Sequence, residues 1–63
     1  KGMLDGAVVG LQQLLAAHGY YNGTFDGLFG EITKRSVIAF QADMDLETDG
    51  EAGWQTWSKL ITG

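Results

Sequence analysis

The sequence predicts an all-α fold, a small orthogonal three-helix bundle with two ordered Asp-Gly loops. Three observations carry that prediction. Apolar residues recur at helical spacing in three segments. No segment alternates convincingly as a half-buried strand does. Ten glycines and no proline punctuate the chain, yet residues 31–49 contain no glycine.

The first helix is predicted over Asp5 to His18. Asp5 can act as its N-cap, and Ala7, Val8, Leu11, Leu14, Leu15 and His18 repeat on one side. Gly19 stands where a left-handed residue closes a helix. Gly10 weakens this helix by about 1 kcal/mol relative to alanine. The second helix is predicted from about Gly30 to Asp43. Its apolar face is Thr33, Val37, Phe40 and Met44, and Glu31 suits the positive end of the helix dipole. The third runs from about Gly53 to Ile61, with Trp57, Leu60 and Ile61 on one side. The stretch from Tyr20 to Phe25 can extend, but nothing obvious is there for it to pair with.

An internal repeat sharpens this picture. Asp26-Gly27-Leu28-Phe29-Gly30-Glu31-Ile32-Thr33 returns, 23 residues on, as Asp49-Gly50-Glu51-Ala52-Gly53-Trp54-Gln55-Thr56. The shared pattern is D-G-x-x-G-x-x-T. A second echo, Leu11-Gln12 against Phe40-Gln41, has a different offset. Asp followed by Gly is turn chemistry, because the carboxylate accepts bonds from the amides just beyond it. Each threonine falls in the first turn of a helix, where its hydroxyl can bond the loop. Both loops therefore read first as self-satisfied helix starts.

With 63 residues and 6.8 kDa the chain makes one domain, residues 1–63. Surface scaling gives a folded area of about 4,000 Å², with roughly 60% of the unfolded surface buried. Apolar burial then contributes about 90 kcal/mol, and ordering the chain costs about the same. Stability is a small residue of the two. Cysteine is absent, which excludes disulfides, thiolate metal sites and thiol catalysis. His18 is the single histidine. A net charge of −4 with four basic residues argues against nucleic acid and against an anionic membrane surface. No apolar run reaches the ~20 residues of a membrane span. The chain shows no signal peptide and does not begin with Met, so it is expected to be a module of a longer protein.

Two sharper readings compete with the structural one. Asp45, Glu47 and Asp49 before Gly50 resemble the start of a calcium loop, but the position that needs a bidentate glutamate is Thr56. The first copy is poorer and ends on Thr33. No metal site and no cofactor are expected. A carboxylate pair for glycoside hydrolysis is arithmetically possible among eight acidic residues. A domain this small has little room for a sugar-burying cleft, and neither serine sits in a nucleophile elbow. No catalytic residue is expected.

The ordered set of short motifs is more specific than any one of them. It begins with Leu11-Gln12 and Leu15, then Gly19-Tyr20-Tyr21 and Asp26-Gly27-x-Phe29-Gly30-x-x-Thr33. It continues with Val37, Phe40-Gln41, Leu46, Asp49-Gly50-x-x-Gly53-x-x-Thr56-Trp57 and Leu60. From about residue 8 to 60 this resembles the three-helix peptidoglycan-binding domain family found beside bacterial and phage cell-wall hydrolases. Asp45 departs from the pattern, where glycine is expected before Leu46, and Ala52 stands in the slot of Phe29. The resemblance implies non-catalytic attachment to peptidoglycan, through glycan or stem peptide. It implies a catalytic domain elsewhere in the parent chain and a location outside the cell, in the wall or periplasm, or in a phage lysin. A monomer is expected. The alternative is a protein-interaction or pro-segment-like module covering a partner's catalytic domain. Leu11, Leu14, Leu15, Tyr20, Phe29, Val37, Phe40, Leu46, Trp57 and Leu60 should form the core.

Ligand contacts should then come from residues that packing does not need. Peptidoglycan calls for aromatic faces and for amide and hydroxyl groups. Tyr21, Asn22, Thr24 and Phe25 supply these in one loop. Trp54 lies off the Trp57–Leu60 side of its helix, with Gln55 beside it. Arg35 can meet a stem-peptide carboxylate, or pair with Glu31 one turn back, and Asp26 can receive an amine. Replacing Tyr21 or Trp54 by alanine should weaken wall binding without unfolding the domain.

Overall fold

The three segments with helical spacing are the three helices of the computed structural model, which describes residues 6–62. Helix α1 spans Gly6–Ala17, α2 spans Glu31–Asp43 and α3 spans Trp54–Thr62. No strand occurs among the described residues. The expected N-cap, Asp5, lies outside them. Helix α1 packs against both α2 and α3.

The first two helices stop in the same way. After α1, Gly19 adopts φ 86°, and the Tyr20 amide reaches back to the Leu15 carbonyl at 2.8 Å. After α2, Asp45 adopts φ 61°, and the Leu46 amide reaches the Gln41 carbonyl at 2.8 Å. Each is a left-handed closure that satisfies terminal carbonyls and turns the chain back. Glycine makes that turn freely at 19. At 45 an aspartate makes it against a Cβ penalty. The helix starts are matched as well. The carbonyls of Gly30 and Gly53 accept the first helical bonds, from Lys34 and Trp57, each at 3.0 Å.

Among the described residues, six buried apolar side chains make the core: Leu11 and Leu15 from α1, Val37 and Phe40 from α2, Leu60 from α3, and Tyr21 from the first loop. Leu14, Tyr20, Leu46 and Trp57 pack against it half-buried. Phe40 is fully enclosed, and the rings of His18 and Tyr20 meet it edge-on at 5.5 and 5.4 Å. Tyr20 also donates its hydroxyl to Asp43 at 2.6 Å. His18 Nε2 bonds the Leu60 carbonyl at 3.0 Å, which ties the end of α1 to the last turn of α3.

Phe29 is a correction. It was expected in the core and is 42% exposed. Its ring lines an apolar groove of about 360 Å³ with Val8, Leu11, Ala52 and Trp57. Ala52 is the counterpart of Phe29 in the second copy.

Candidate functional site

Each Asp-Gly loop is built on a buried glutamine from the helix before it. Gln12 lies within α1 and is fully buried. Its Nε2 points at Asp26 Oδ1 (3.0 Å), the Leu28 carbonyl (3.2 Å) and Thr33 Oγ1 (3.0 Å). Its Oε1 accepts the Gly27 amide at 3.1 Å. Gln41, from α2, repeats this in the second loop. Its Nε2 meets Asp49 Oδ1 (3.1 Å), the Glu51 carbonyl (2.9 Å) and Thr56 Oγ1 (3.0 Å), and its Oε1 accepts the Gly50 amide at 3.0 Å. A primary amide has two hydrogens and a carbonyl. No other uncharged side chain of this length offers both functions at one end. Gly27 and Gly50, at φ 73° and 74°, give the left-handed turn that presents their amides to the glutamines.

The aspartates complete the clamps. Asp26 Oδ1 accepts the Leu28 amide at 3.0 Å, and Asp49 Oδ1 accepts the Glu51 amide at 2.9 Å. These backbone bonds, followed by the glutamine bonds, hold both carboxyls below the usual aspartate range. No buried polar side-chain atom among the described residues lacks a partner. The repeated Asp, Gly and Thr residues therefore serve the loops themselves, as the turn chemistry predicted. The glutamines were missed as clamps. Their signal was the Leu11-Gln12 and Phe40-Gln41 echo, which precedes each Asp-Gly pair.

A shallow groove lies against each loop, of about 280 Å³ at the first and about 100 Å³ at the second. The expected ligand residues are divided between them. Tyr21, Thr24 and Asp26 line the first, and Trp54 and Gln55 line the second. Asn22, Phe25 and Arg35 line neither. Phe25 is 46% exposed and stacks on Tyr21 at 6.0 Å. Arg35 pairs with Glu31 at 3.1 Å on the open face of α2. Asp26 holds its loop with one oxygen and takes the Thr24 hydroxyl at 3.3 Å on the other.

Tyr21 requires correction as a residue removable without harm to the fold. It is buried, and its hydroxyl donates to the Thr24 carbonyl. Truncating it empties part of the core. Trp54 is the opposite case, with 77% of its surface open at the start of α3. Among the described residues no three His, Cys, Asp or Glu side chains are grouped to hold a metal ion. No described helix is long and apolar enough to cross a membrane.

Comparison with known proteins agrees with this architecture. The family model described as "Putative peptidoglycan binding domain" matches residues 5–60. The chain is 39% identical over 61 residues to a spore cortex-lytic enzyme of Oceanobacillus iheyensis, covering 97% of this chain and 22% of that protein. It is 42% identical over 62 residues to the spore cortex-lytic enzyme of Bacillus subtilis, covering 97% and 20%. A spore cortex-lytic enzyme of Bacillus cereus is 36% identical over 61 residues, covering 97% and 24%. The chain thus spans about a fifth to a quarter of these relatives. No solved structure matches it. With its family model matched over nearly its whole length, the chain belongs to the peptidoglycan-binding domain family, as a non-catalytic module.

Proposed function

We propose that this module holds a wall-lytic enzyme on its polymer. The relatives compared above are spore cortex-lytic enzymes, and the match covers only a small part of each. That arrangement suits a targeting module joined to a separate catalytic domain, acting at the cell wall or spore cortex as a monomer. The observation that carries the reading is the division of labour in the loops. The repeated residues are used up in holding them, while the variable side chains, Trp54 above all, stand in solvent beside a groove.

Shallow grooves imply modest affinity per site, and the repetitive polymer raises retention through avidity. Co-sedimentation with purified sacculi tests the reading, with chitin and cellulose as controls and circular dichroism to verify folding. Selective pelleting with sacculi is expected. A folded domain that stays in the supernatant with sacculi would refute wall targeting by this module.

A further inference from the structure

The grooves at the two loops are copies of each other. Eight of the nine residues lining one correspond, at the 23-residue offset, to eight of the nine lining the other. Three corresponding pairs are identical, and these are the Asp, Gly and Thr that form the loop and start the helix. The other five differ: Gly23 with Leu46, Thr24 with Glu47, Leu28 with Glu51, Glu31 with Trp54, and Ile32 with Gln55. The scaffold is duplicated and its lining is rewritten.

The rewriting has a direction. The first groove presents exposed Leu28 and Ile32, and its one variable carboxylate, Glu31, is neutralised by Arg35. The second presents Glu47 and Glu51, both exposed and neither ion-paired among the described residues, beside the open indole of Trp54. The stem of Lys34 packs over Gly50, but its ammonium makes no ion pair with these carboxylates. Aromatic face and unpaired carboxylates together suit a cation, since an ammonium gains from both. A neutral sugar hydroxyl donates a hydrogen bond to a carboxylate but lacks the charge attraction that an ammonium adds, and an anionic group is repelled.

Resting on the peptidoglycan-binding reading, we infer that the two grooves are one ligand site in duplicate. The second, lined by Glu47, Glu51, Trp54 and Gln55, takes the primary amine of an uncross-linked diamino residue in the wall peptide. Its amine sits between the carboxylates and the indole, and Gln55 meets the adjoining peptide amide. The module then prefers wall that carries free amines over wall whose amines are consumed in cross-links.

The test uses Nα-acetyl-lysyl-D-alanine amide and its Nε-acetylated twin, titrated into the ¹⁵N-labelled domain at low ionic strength. The free amine is expected to shift the amides of Glu47, Glu51 and Gln55 and the Trp54 indole N–H. It should bind about fivefold or more tightly than the twin, a difference that added salt reduces. The double variant E47Q/E51Q, altered only at exposed side chains, should fold normally and lose the preference. Equal binding of the two probes, an unchanged preference in the double variant, or shifts centred on Leu28 and Ile32 would each overturn the inference. Pelleting of the wild-type domain with sacculi in parallel separates the two levels. Pelleting without amine preference removes this inference and leaves wall binding standing. Failure to pellet removes wall binding itself, and the amine preference is then judged on the peptides alone.

Discussion

Replacing Gln41 by leucine tests the clamp most directly. Leucine keeps similar volume and removes every polar function. The side chain now makes two donated bonds, shared among Asp49, Glu51 and Thr56, and one accepted bond from Gly50. At about 1 kcal/mol net for each, these bonds contribute about 3 kcal/mol. The buried Gly50 amide and Thr56 hydroxyl are also left without their partner, which adds about 1–2 kcal/mol. The expected loss is about 4 kcal/mol. A domain of this length holds only about 3–9 kcal/mol in total, so the variant should be partly unfolded at room temperature. Urea unfolding followed by circular dichroism at 222 nm measures it. Gln12→Leu should cost about the same, because its partners are the same in kind. A loss below about 1 kcal/mol in either variant, with an unchanged m-value, would refute the clamp as a source of stability.

Acid should weaken the fold through Asp26 and Asp49. Their carboxyls lie below the usual range in the folded state, so their contribution is present above the unfolded value near pH 4 and is lost as pH falls through the folded values. Asp26→Asn and Asp49→Asn should each flatten the dependence of stability on pH below about 4, as read by urea midpoints across pH. Asp45→Gly should stabilise by about 0.5–1 kcal/mol, by relieving the aspartate at φ 61°, and raise the thermal midpoint by a few degrees. Gly10→Ala should add up to about 1 kcal/mol. A Cβ there lies 4.0 Å from the Trp57 ring, an ordinary contact, and the helix gains propensity.

The helices were legible because spacing alone marks them, and the observed ends fall within about a residue of the predicted ones wherever they are described. The loops were legible in part. Asp-Gly chemistry foretold that each carboxylate would cap its own turn, and Asp26 and Asp49 do so. It could not foretell that a glutamine 14 residues before one loop and 8 before the other would finish the work. That bond depends on how the helix and loop meet in space. The same limit explains Phe29 and Tyr21. Both are large aromatics in loops, and pattern alone does not decide which one the helices enclose. The structure buries Tyr21 beside Phe25 and leaves Phe29 facing the small Ala52. Trp54 was separable from the core, since its position on α3 lies away from Thr56 and Leu60.

The difference in offset between the clamps has a consequence for how the surface meets a ligand. Gln12 lies seven residues before the turning residue Gly19, and Gln41 four before Asp45. The three-residue difference is about one helical turn. The loop from Gly19 to Asp26 is also three residues longer than that from Asp45 to Asp49. The longer loop runs back one turn further and finds the same amide there. Loop length can therefore vary in whole turns while the docking surface stays fixed to rigid helix. Such a surface is set before any partner arrives. A loop that had to be ordered on contact would forfeit about 1–2 kcal/mol for each residue immobilised, and this module has met that requirement during folding.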